Sequence, residues 1–255
     1  MIIGIDIGNT TTEIGFIKNY KFIKSYKLSS NIDKTTDDWY LDISTIFFLE
    51  KEEIENCVIS SVVPQIEQKL STALEKKLNK KPLIIGKDIL VPIKNNYKNP
   101  EEVGIDRLVN AYSALNKVEP PLIVIDLGTA ITFDVVNEKG EYEGGLIFPG
   151  IESSVKSLFL KTSKLPMVKI EELECIIGKT TIDSIKSGIF NGYCSLIEGV
   201  IEKIVSTKKN KFNIILTGGN SKLISKGIKV KHIVDEFLAM EGIYLIYKQH
   251  LLYTK

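Results

Sequence analysis

Cysteine and histidine are both scarce in this sequence, and their positions exclude several kinds of site. Cys57, Cys175 and Cys194 are far apart and form no CxxC pair, which argues against a disulfide framework and a structural zinc site. His232 and His250 lack the HExxH spacing and have no nearby cysteine, so a histidine-based metal centre or catalytic triad is not expected. Unpaired thiols are typical of a reducing compartment, and we expect a cytoplasmic protein.

The sequence also lacks an excess of charge and a long hydrophobic run. Its 33 Lys and Arg residues balance 32 Asp and Glu residues, for a net charge of +1, so no broad field would attract a nucleic acid or an anionic membrane. The N-terminus reads directly as a strand and not as a signal peptide. The longest mostly apolar stretches, such as residues 122–133, fall short of the ~20 residues of a membrane span. We therefore expect a soluble protein with a small-molecule substrate.

The first half of the chain predicts a mixed sheet covered by helices. Short β-rich runs separated by turn residues predict three antiparallel strands, and a pattern of alternating helices and strands follows. The predicted strands are residues 2–7, 12–17, 22–28, 57–63 and 83–85, and the predicted helices are residues 36–50, 65–79 and 101–118.

An internal repeat predicts two similar domains. Residues 2–17 align without gaps to residues 122–137, and each segment is an apolar strand, an aspartate, a glycine turn and a second strand. The break at residues 119–121, Glu-Pro-Pro, marks the boundary, so we expect domains at residues 1–118 and 119–255. The alignment pairs Asp6 with Asp126, Gly8 with Gly128 and Thr12 with Thr132.

The second half repeats the alternation of strands and helices. Predicted helices cover residues 152–160, 182–206 and 234–252, and predicted strands cover residues 131–136 and 213–216. Gly188, Gly192 and Gly199 lie inside the long helix. Interior glycines weaken a helix, so they favour close packing within the core or along a dimer seam. An isologous homodimer along this helix is the expected assembly.

The two glycine turns carry the chemistry that the sequence suggests. A turn at Gly8 can expose backbone N–H groups to phosphate, and Asp6 at the strand end could hold Mg²⁺, which prefers one or two carboxylates plus phosphate oxygens. An ordinary hairpin turn without a ligand is the alternative, and Asp126 could likewise only cap its own turn. The glycine pair Gly218-Gly219 would let adenosine approach the backbone closely.

These three turns occur in the same order in the actin, sugar-kinase and heat-shock chaperone ATPase superfamily, which the chain resembles. Four further motifs resemble those of the type III pantothenate kinases within that superfamily, and the resemblance covers nearly the whole chain. The motifs are residues 97–111 (YKNPEEVGIDRLVNA), 60–64 (SSVVP), 144–150 (GGLIFPG) and 178–181 (GKTT) with Ser187-Gly188.

The resemblance implies an α/β fold of two tandem ribonuclease-H-like domains with a nucleotide cleft between them. It also implies ATP-dependent phosphorylation of pantothenate, the first step of coenzyme A synthesis, with Mg²⁺, a monovalent cation (K⁺ or NH₄⁺) and a homodimer. Asp106 would be the general base and Asp126 a ligand of the monovalent cation. ATP would be bound by Asp6, Ile7, Gly8, Asn9, Thr10, Thr11, Thr12, Glu13 and Thr129. Pantothenate would be bound by Tyr97, Gly104, Ile105, Asp106, Arg107 and Thr181.

Two positions depart from the family pattern. Ile105 stands where the family has a small residue, and a bulkier neighbour of Asp106 could reshape the substrate pocket. Thr180 stands where the family has asparagine.

Other interpretations stay open at this point. Asp106 and Arg107 could simply be a carboxylate at a helix N-terminus paired with its neighbour. The chain could also be a kinase for a sugar or small acid, a phosphatase of phosphate chains, or a non-catalytic regulator that kept the fold.

Overall fold

The structure is a computed structural model that describes residues 1–18, 21–50, 54–172 and 175–253. The chain divides into two compact units, one of residues 1–116 with 237–255 and one of residues 117–236. Among the described helices, none combines the length and the apolar character that a membrane crossing requires.

Ten strands and seven α-helices follow one another along the described chain. The strands are β1 (Ile2–Ile7), β2 (Thr11–Lys18), β3 (Lys21–Ser29), β4 (Asn56–Ser61), β5 (Leu83–Ile84), β6 (Leu122–Leu127), β7 (Ala130–Val136), β8 (Tyr142–Pro149), β9 (Asn213–Thr217) and β10 (Ile233–Val234). The helices are α1 (Thr36–Glu50), α2 (Pro64–Leu78), α3 (Ile105–Leu115), α4 (Ile151–Lys161), α5 (Thr181–Lys208), α6 (Ser221–Ser225) and α7 (Leu238–Tyr253).

The first unit is a five-stranded mixed sheet in the order β3-β2-β1-β4-β5. Because side chains alternate along a strand, Ile3, Ile5 and Ile7 of β1 enter the core beneath α1 and α2. The opposite face is covered by α3 and α7. That face has glycine where α7 comes closest, since a Cβ on Gly15 would lie 2.6 Å from the sulfur of Met240.

The second unit is also a five-stranded mixed sheet, in the order β10-β9-β6-β7-β8. Its core joins the apolar side chains of β6, β7 and β9 to one face of α5, including Phe190, Cys194 and Ile197. The predicted fold class of mixed sheets with helices is confirmed in both units.

The two hairpins of the repeat differ by one residue in their turns. Ile7 pairs with Thr12 in the first hairpin, whereas Leu127 pairs with Ile131 in the second. The gap-free alignment of Thr12 with Thr132 was therefore wrong by one position. Asp6 lies opposite Glu13, and the residue opposite Asp126 is Thr132.

The start of α3 differs from the sequence prediction. A short 3₁₀ turn covers Pro100–Glu102, and α3 begins only at Ile105. The reason is local, since Val103 and Gly104 have extended backbone angles that interrupt the helix. Asp106 consequently lies in the first turn of α3, instead of in the second turn of a helix over residues 101–118.

The C-terminal helix also differs from the prediction. It begins at Leu238, and the strand β10 occupies the position where it was predicted to start. The helix packs within the first unit, so the units differ from the predicted domain ranges by this returning segment. The strands β8 and β10 and the helix α6 were not predicted, because glycine-rich and very short segments carry little periodicity.

Candidate active site

The N-terminus of α3 holds the Asp106 carboxylate in one orientation. The backbone N–H of Arg107 donates to Asp106 Oδ1 at 2.8 Å, and the carboxylate lies in the first turn of α3, where negative charge is favourable. Gly104, the residue before the helix, lies so close that a Cβ on it would be 2.5 Å from Asp106 Oδ1. Only glycine at this position leaves the carboxylate where it is.

The chain brings the start of α3 to the ends of two neighbouring strands. A Cβ on Gly104 would lie 3.7 Å from Val62 Cγ1, and the Val62 N–H donates to the carbonyl of Ile7 at 3.0 Å. Asp6 and Ser60, one residue before the ends of β1 and β4, are register partners. The predicted residues Asp6 and Asp106 thus lie on elements that meet at the C-terminal ends of β1 and β4.

Burial changes the acidity of Asp106. Loss of hydration raises the pKa of its carboxyl above the ordinary aspartate value, while the hydrogen bond and the charge of Arg107 lower it in part. Arg107 itself is 7% exposed. A carboxylate with a raised pKa is a stronger proton acceptor once ionised, which suits a general base.

Ile105, the residue before Asp106, packs its side chain against neighbouring apolar groups. Its side chain packs with the apolar cluster between the sheet and α7, and its Cδ1 would lie 3.2 Å from a Cβ on Gly86. Gly86 has φ +89°, a conformation that favours glycine. The bulk of Ile105 therefore fills space above a glycine turn, and its effect on the substrate pocket stays a prediction.

The first hairpin turn exposes part of the predicted nucleotide site and buries the rest. Asn9, Thr10 and Thr11 are exposed, and the turn closes with the Gly8 N–H donating to the Thr11 carbonyl at 3.0 Å. Thr12 is fully buried. Its hydroxyl lies 2.8 Å from Ser30 Oγ, so it fastens the turn to the end of β3.

Ile7 and Glu13 are also engaged within the protein. Ile7 is fully buried in the core, so only its backbone could reach a ligand. Glu13 accepts a hydrogen bond from Ser25 and pairs with Lys27 at 3.4 Å. Among the predicted nucleotide contacts of the first unit, the half-buried Asp6 and the exposed turn residues have the most suitable exposure.

Tyr97 lies half-buried in the loop before α3. Its N–H donates to Asn95 Oδ1 at 3.0 Å, and Asn95 also donates to the Pro100 carbonyl at 3.2 Å. Asn99 donates to Glu102 at 2.6 Å. These asparagine contacts give the loop a defined path between Tyr97 and Asp106.

The second unit encloses Asp126 with glycines. A Cβ on Gly218 would lie 2.4 Å from Asp126 Oδ1, and one on Gly128 would lie 3.4 Å from it. Gly218 has φ +84°. Across the sheet, Asp126 faces Thr132 on β7 and Thr217 on β9, so oxygen-bearing side chains flank it on both sides.

The turn after Asp126 is packed beneath the start of α4. The N–H of Gly150 donates to the Thr129 carbonyl at 3.2 Å, and a Cβ on Gly150 would lie 2.3 Å from that oxygen. Ser153 donates to the same carbonyl at 3.2 Å. The Thr129 side chain is exposed. The motif at residues 144–150 therefore ends in a glycine that this close approach requires.

The predicted adenosine turn contacts the same region. The Asn220 N–H donates to the Leu127 carbonyl at 3.2 Å. The Asn220 amide also donates to both carboxylate oxygens of Glu152 at 3.0 Å. The three glycine turns of the second unit, around Gly128, Gly150 and Gly218, thus meet at one end of its sheet.

The motif at residues 178–181 starts the long helix α5. Thr180 is the N-cap, with its hydroxyl accepting from the Asp183 N–H at 3.1 Å. Threonine and asparagine are both effective N-caps, so the Thr180 departure preserves this structural role. Thr181 is exposed in the first turn.

The glycines of α5 do not line the core of the described chain. Within the described residues, apart from chain neighbours and the backbone of α5 itself, no atom lies within 4 Å of a Cβ built on Gly188, Gly192 or Gly199. The sequence allowed two interpretations of these glycines, and the described residues do not show the first one, packing inside the core. A dimer seam stays a prediction.

In the parts of the chain that the structure describes, no group of three or more His, Cys, Asp or Glu side chains is arranged around a common point. A half-buried carboxylate at Asp6 instead fits the way Mg²⁺ is held at nucleotides, by one or two carboxylates with phosphate and water.

A cavity of about 400 Å³ lies elsewhere in the second unit, between β8 and α5. Apolar side chains, including Leu146, Val200 and Ile204, line it, and a pair between Lys208 and Glu143 lies at its rim. None of the predicted site residues contributes to it. We base the candidate site on the aspartates and glycine turns and not on this cavity.

The sequence comparisons decide the family. The family model described as type III pantothenate kinase matches residues 2–203. The type III pantothenate kinase of Persephonella marina is 60% identical over 253 residues, which covers 98% of this chain and 99% of that protein. The chain belongs to the type III pantothenate kinase family. The resemblance seen in the sequence motifs is confirmed.

Solved structures extend the similarity to the fold of the actin-like kinases. A Campylobacter jejuni protein named a Baf family transcriptional activator matches with a TM-score of 0.62 and 21% identity, covering 98% of each chain. A ROK family glucokinase of Streptomyces griseus, in complex with glucose and AMPPNP, matches with a TM-score of 0.55 and 12% identity. That match covers 97% of this chain and 99% of that one. At these identities the likeness shows the fold alone, and it confirms the predicted tandem architecture.

Ser60 belongs to the family motif at residues 60–64, but the motif alone gives it no role. The structure shows it fully buried in register with Asp6. The parallel pairing of β1 with β4 would have been needed to find it, and no pattern within one strand reveals its partner strand.

Proposed function

We propose that the protein phosphorylates pantothenate with ATP as donor, giving 4′-phosphopantothenate and ADP at the start of coenzyme A synthesis. Membership of the type III pantothenate kinase family carries this proposal, together with the Asp106 carboxylate held at the start of α3. Phosphoryl transfer depends on positioning and on charge neutralisation more than on covalent catalysis. A half-buried, oriented carboxylate beside an arginine is suited to both tasks.

Asp106 is the proposed general base. It would accept the proton of the attacking pantothenate hydroxyl as the phosphoryl group is transferred. Burial raises the pKa of this carboxyl, which strengthens it as a base while leaving it ionised above that pKa. Arg107 would offer planar, charge-assisted donors to phosphate or to the substrate.

The nucleotide contacts are proposed from the first turn and from Thr129. Asn9, Thr10 and Thr11 are exposed and can offer hydroxyl, amide and backbone donors. Gly8 allows the turn to close tightly, while the buried Thr12 and Ile7 support it from below. Glu13, on β2, lies opposite Asp6 and adds negative charge near the proposed Mg²⁺ position.

Two kinds of cation fit the oxygen atoms present. Asp6 would hold Mg²⁺ together with phosphate oxygens and water, and a bound Mg²⁺ supplies neutralisation of phosphate charge. Asp126, flanked by Thr132 and Thr217, would help to hold a monovalent cation such as K⁺ or NH₄⁺.

Pantothenate is proposed to contact the residues that lead into α3. Tyr97 and Arg107 would contribute side chains, and Gly104 and Ile105 would contribute backbone, because the Ile105 side chain packs into the core. Thr181, exposed at the start of α5, completes the proposed set.

The proposal extends to the assembly and the location. The open glycine positions of α5 support a homodimer whose seam runs along this helix, since small residues let two backbones approach closely. Buried Cys57 and Cys194 with exposed Cys175, all free thiols, support the cytoplasm as the compartment.

The test is ADP release by the purified protein with ATP, Mg²⁺ and K⁺, with and without pantothenate. Release that depends on pantothenate and falls when Na⁺ replaces K⁺ is expected. A panel of sugars and small acids serves as the control. Release with one of those compounds but not with pantothenate would refute the proposed substrate, and nucleotide binding without any release would favour a non-catalytic regulator.

A further inference from the structure

Ser60 presents a buried hydroxyl with no visible use in the fold. The residue is 0% exposed, and within the described part of the chain its Oγ has no hydrogen-bond partner. A buried hydroxyl without a partner costs free energy, so most such groups in native proteins are satisfied. An exception beside a functional carboxylate calls for an explanation.

Asp6 is the charged neighbour of Ser60 across the sheet. The two residues are register partners in the parallel pair of β1 and β4, so their side chains project from the same face. That face is the one covered by α3 and α7, because the alternate residues Ile5 and Ile59 belong to the core on the other side. Neighbouring strands lie ~4.8 Å apart, which brings the two side chains close enough to bond after a rotamer change.

Burial determines whether a ligand or the Asp6 side chain can contact the Ser60 hydroxyl. Ser60 is closed off from solvent, so a ligand cannot contact it directly in this conformation. Asp6 is half-buried, and its carboxylate has two oxygens. One oxygen can face solvent and a ligand while the other turns toward Ser60.

The second unit supports a role for a hydroxyl at this position. Asp126 occupies the corresponding place in its hairpin, and its partner on the parallel strand β9 is Thr217, which is 4% exposed. Both sheets therefore place a buried hydroxyl-bearing residue next to the hairpin aspartate. Apolar residues occupy most other central positions of β4 and β9.

We propose that Ser60 is a positioning residue that donates its hydroxyl to the Asp6 carboxylate when Asp6 engages the magnesium form of the nucleotide. The bond fixes one carboxylate oxygen so that the other keeps its orientation toward the ligand. Without ligand, the protein tolerates an unsatisfied hydroxyl, and loading with Mg²⁺ and nucleotide satisfies it. This inference rests on the proposed function for its choice of ligand.

The test compares Ser60→Ala with Ser113→Ala by calorimetric binding of ADP with Mg²⁺ and by thermal unfolding. Ser113 is a matched control, because it is also 0% exposed with an unpartnered Oγ among the described residues. Its Cβ faces α7, 3.1 Å from a Cβ built on Gly242. Ser60→Ala is expected to weaken Mg·ADP binding about tenfold, as loss of a hydrogen bond to a charged group does. Ser113→Ala should change this affinity less than twofold.

Thermal unfolding separates positioning from structural support. Without ligand, Ser60→Ala should unfold at the same temperature as the wild type or higher, because it removes an unsatisfied buried hydroxyl. A lower unfolding temperature would show that the hydroxyl supports the free fold and would overturn the proposal. Equal Mg·ADP affinity in Ser60→Ala and Ser113→Ala would overturn it as well.

A double variant shows whether Ser60 acts through Asp6. In an Asp6→Asn background, Ser60→Ala should change Mg·ADP affinity less than twofold further, since the carboxylate that it orients is gone. A full tenfold effect in that background would refute the coupling. The binding readout needs no pantothenate, so it stands even if ADP release shows that pantothenate is not the substrate.

Discussion

Each unit holds one aspartate against a glycine, but the two glycines are constrained in different ways. A Cβ on Gly104 would meet the Asp106 carboxylate itself, at 2.5 Å. A Cβ on Gly218 would meet Asp126 at 2.4 Å and also the backbone of Leu127 at 2.8 Å. Gly218 further has φ +84°, which side chains disfavour.

The difference distinguishes an aspartate whose pKa is set by its surroundings from an aspartate whose position is set by the backbone. Asp106 is held by its helix N-terminus, and burial raises its pKa. Asp126 is held where two backbone turns close on each other, so its position is part of the fold of the second unit. We expect changes near Asp106 to alter the reaction first, and changes near Asp126 to alter stability and cation dependence.

The largest effect is expected for Asp106→Asn. An amide cannot accept the substrate proton, so kcat should fall by roughly 10²–10⁴-fold, the usual contribution of a general base. Steady-state ADP release with saturating ATP and pantothenate measures this. Asp126→Asn, assayed at saturating K⁺, is the control and should retain most of its kcat. Near-normal turnover in Asp106→Asn would remove the distinction between the two aspartates.

The same variant should be more stable than the wild type at neutral pH. The pKa of Asp106 is raised in the folded protein, so folding favours the protonated form, and stability is lost as pH rises through the folded pKa. Asp106→Asn removes the ionisable group and therefore also the loss of stability at higher pH. Thermal unfolding at pH 7 should show a higher midpoint, and the gain should disappear below the unfolded pKa of about 3.9.

The glycines offer the next comparison. Gly218→Ala should lower the free energy of unfolding by more than about 2 kcal/mol, because it combines a strained φ with a backbone clash. Gly104→Ala should cost less than about 1 kcal/mol, since the Asp106 side chain can rotate away, but kcat should fall by about 10–100-fold because the base is displaced. Denaturant unfolding and ADP release on both variants give the comparison. Equal stability losses would contradict it.

The smallest effect concerns the monovalent cation. Asp126→Asn should raise the K⁺ concentration for half-maximal activity by about tenfold, because a charged ligand is replaced by a neutral one. Titration of K⁺ at fixed Mg²⁺ measures it. Thr132→Val, which leaves the carboxylate in place, should shift the midpoint less. An unchanged K⁺ midpoint in Asp126→Asn would place the cation elsewhere.

Much of the fold follows from local pattern, and the parts that do not are informative. The two hairpins and the long helices were predictable because alternation and helical periodicity are local signals. The one-residue difference between the hairpin turns was not, because a gap-free alignment hides it until Asp6 is seen opposite Glu13 and Asp126 opposite Thr132.

In the candidate site as well, local sequence patterns identify residues but not their contacts. Asp106 and Asp126 were identified from motifs, but their glycine contacts depend on the fold. The direction of the Ile105 side chain toward Gly86 could not be predicted either, because sequence adjacency to Asp106 does not give side-chain direction. Ser60 could not be connected to Asp6, because strand pairing at a distance is not a local property.

The most direct test of this account is the pH dependence of kcat/KM for pantothenate, measured on the wild type and Asp106→Asn. The raised pKa of Asp106 predicts an acidic limb whose midpoint lies above the ordinary aspartate range, with activity falling as pH drops through it and the base becomes protonated. The residual activity of Asp106→Asn should lack that limb. The same limb in both proteins would show that another group accepts the proton.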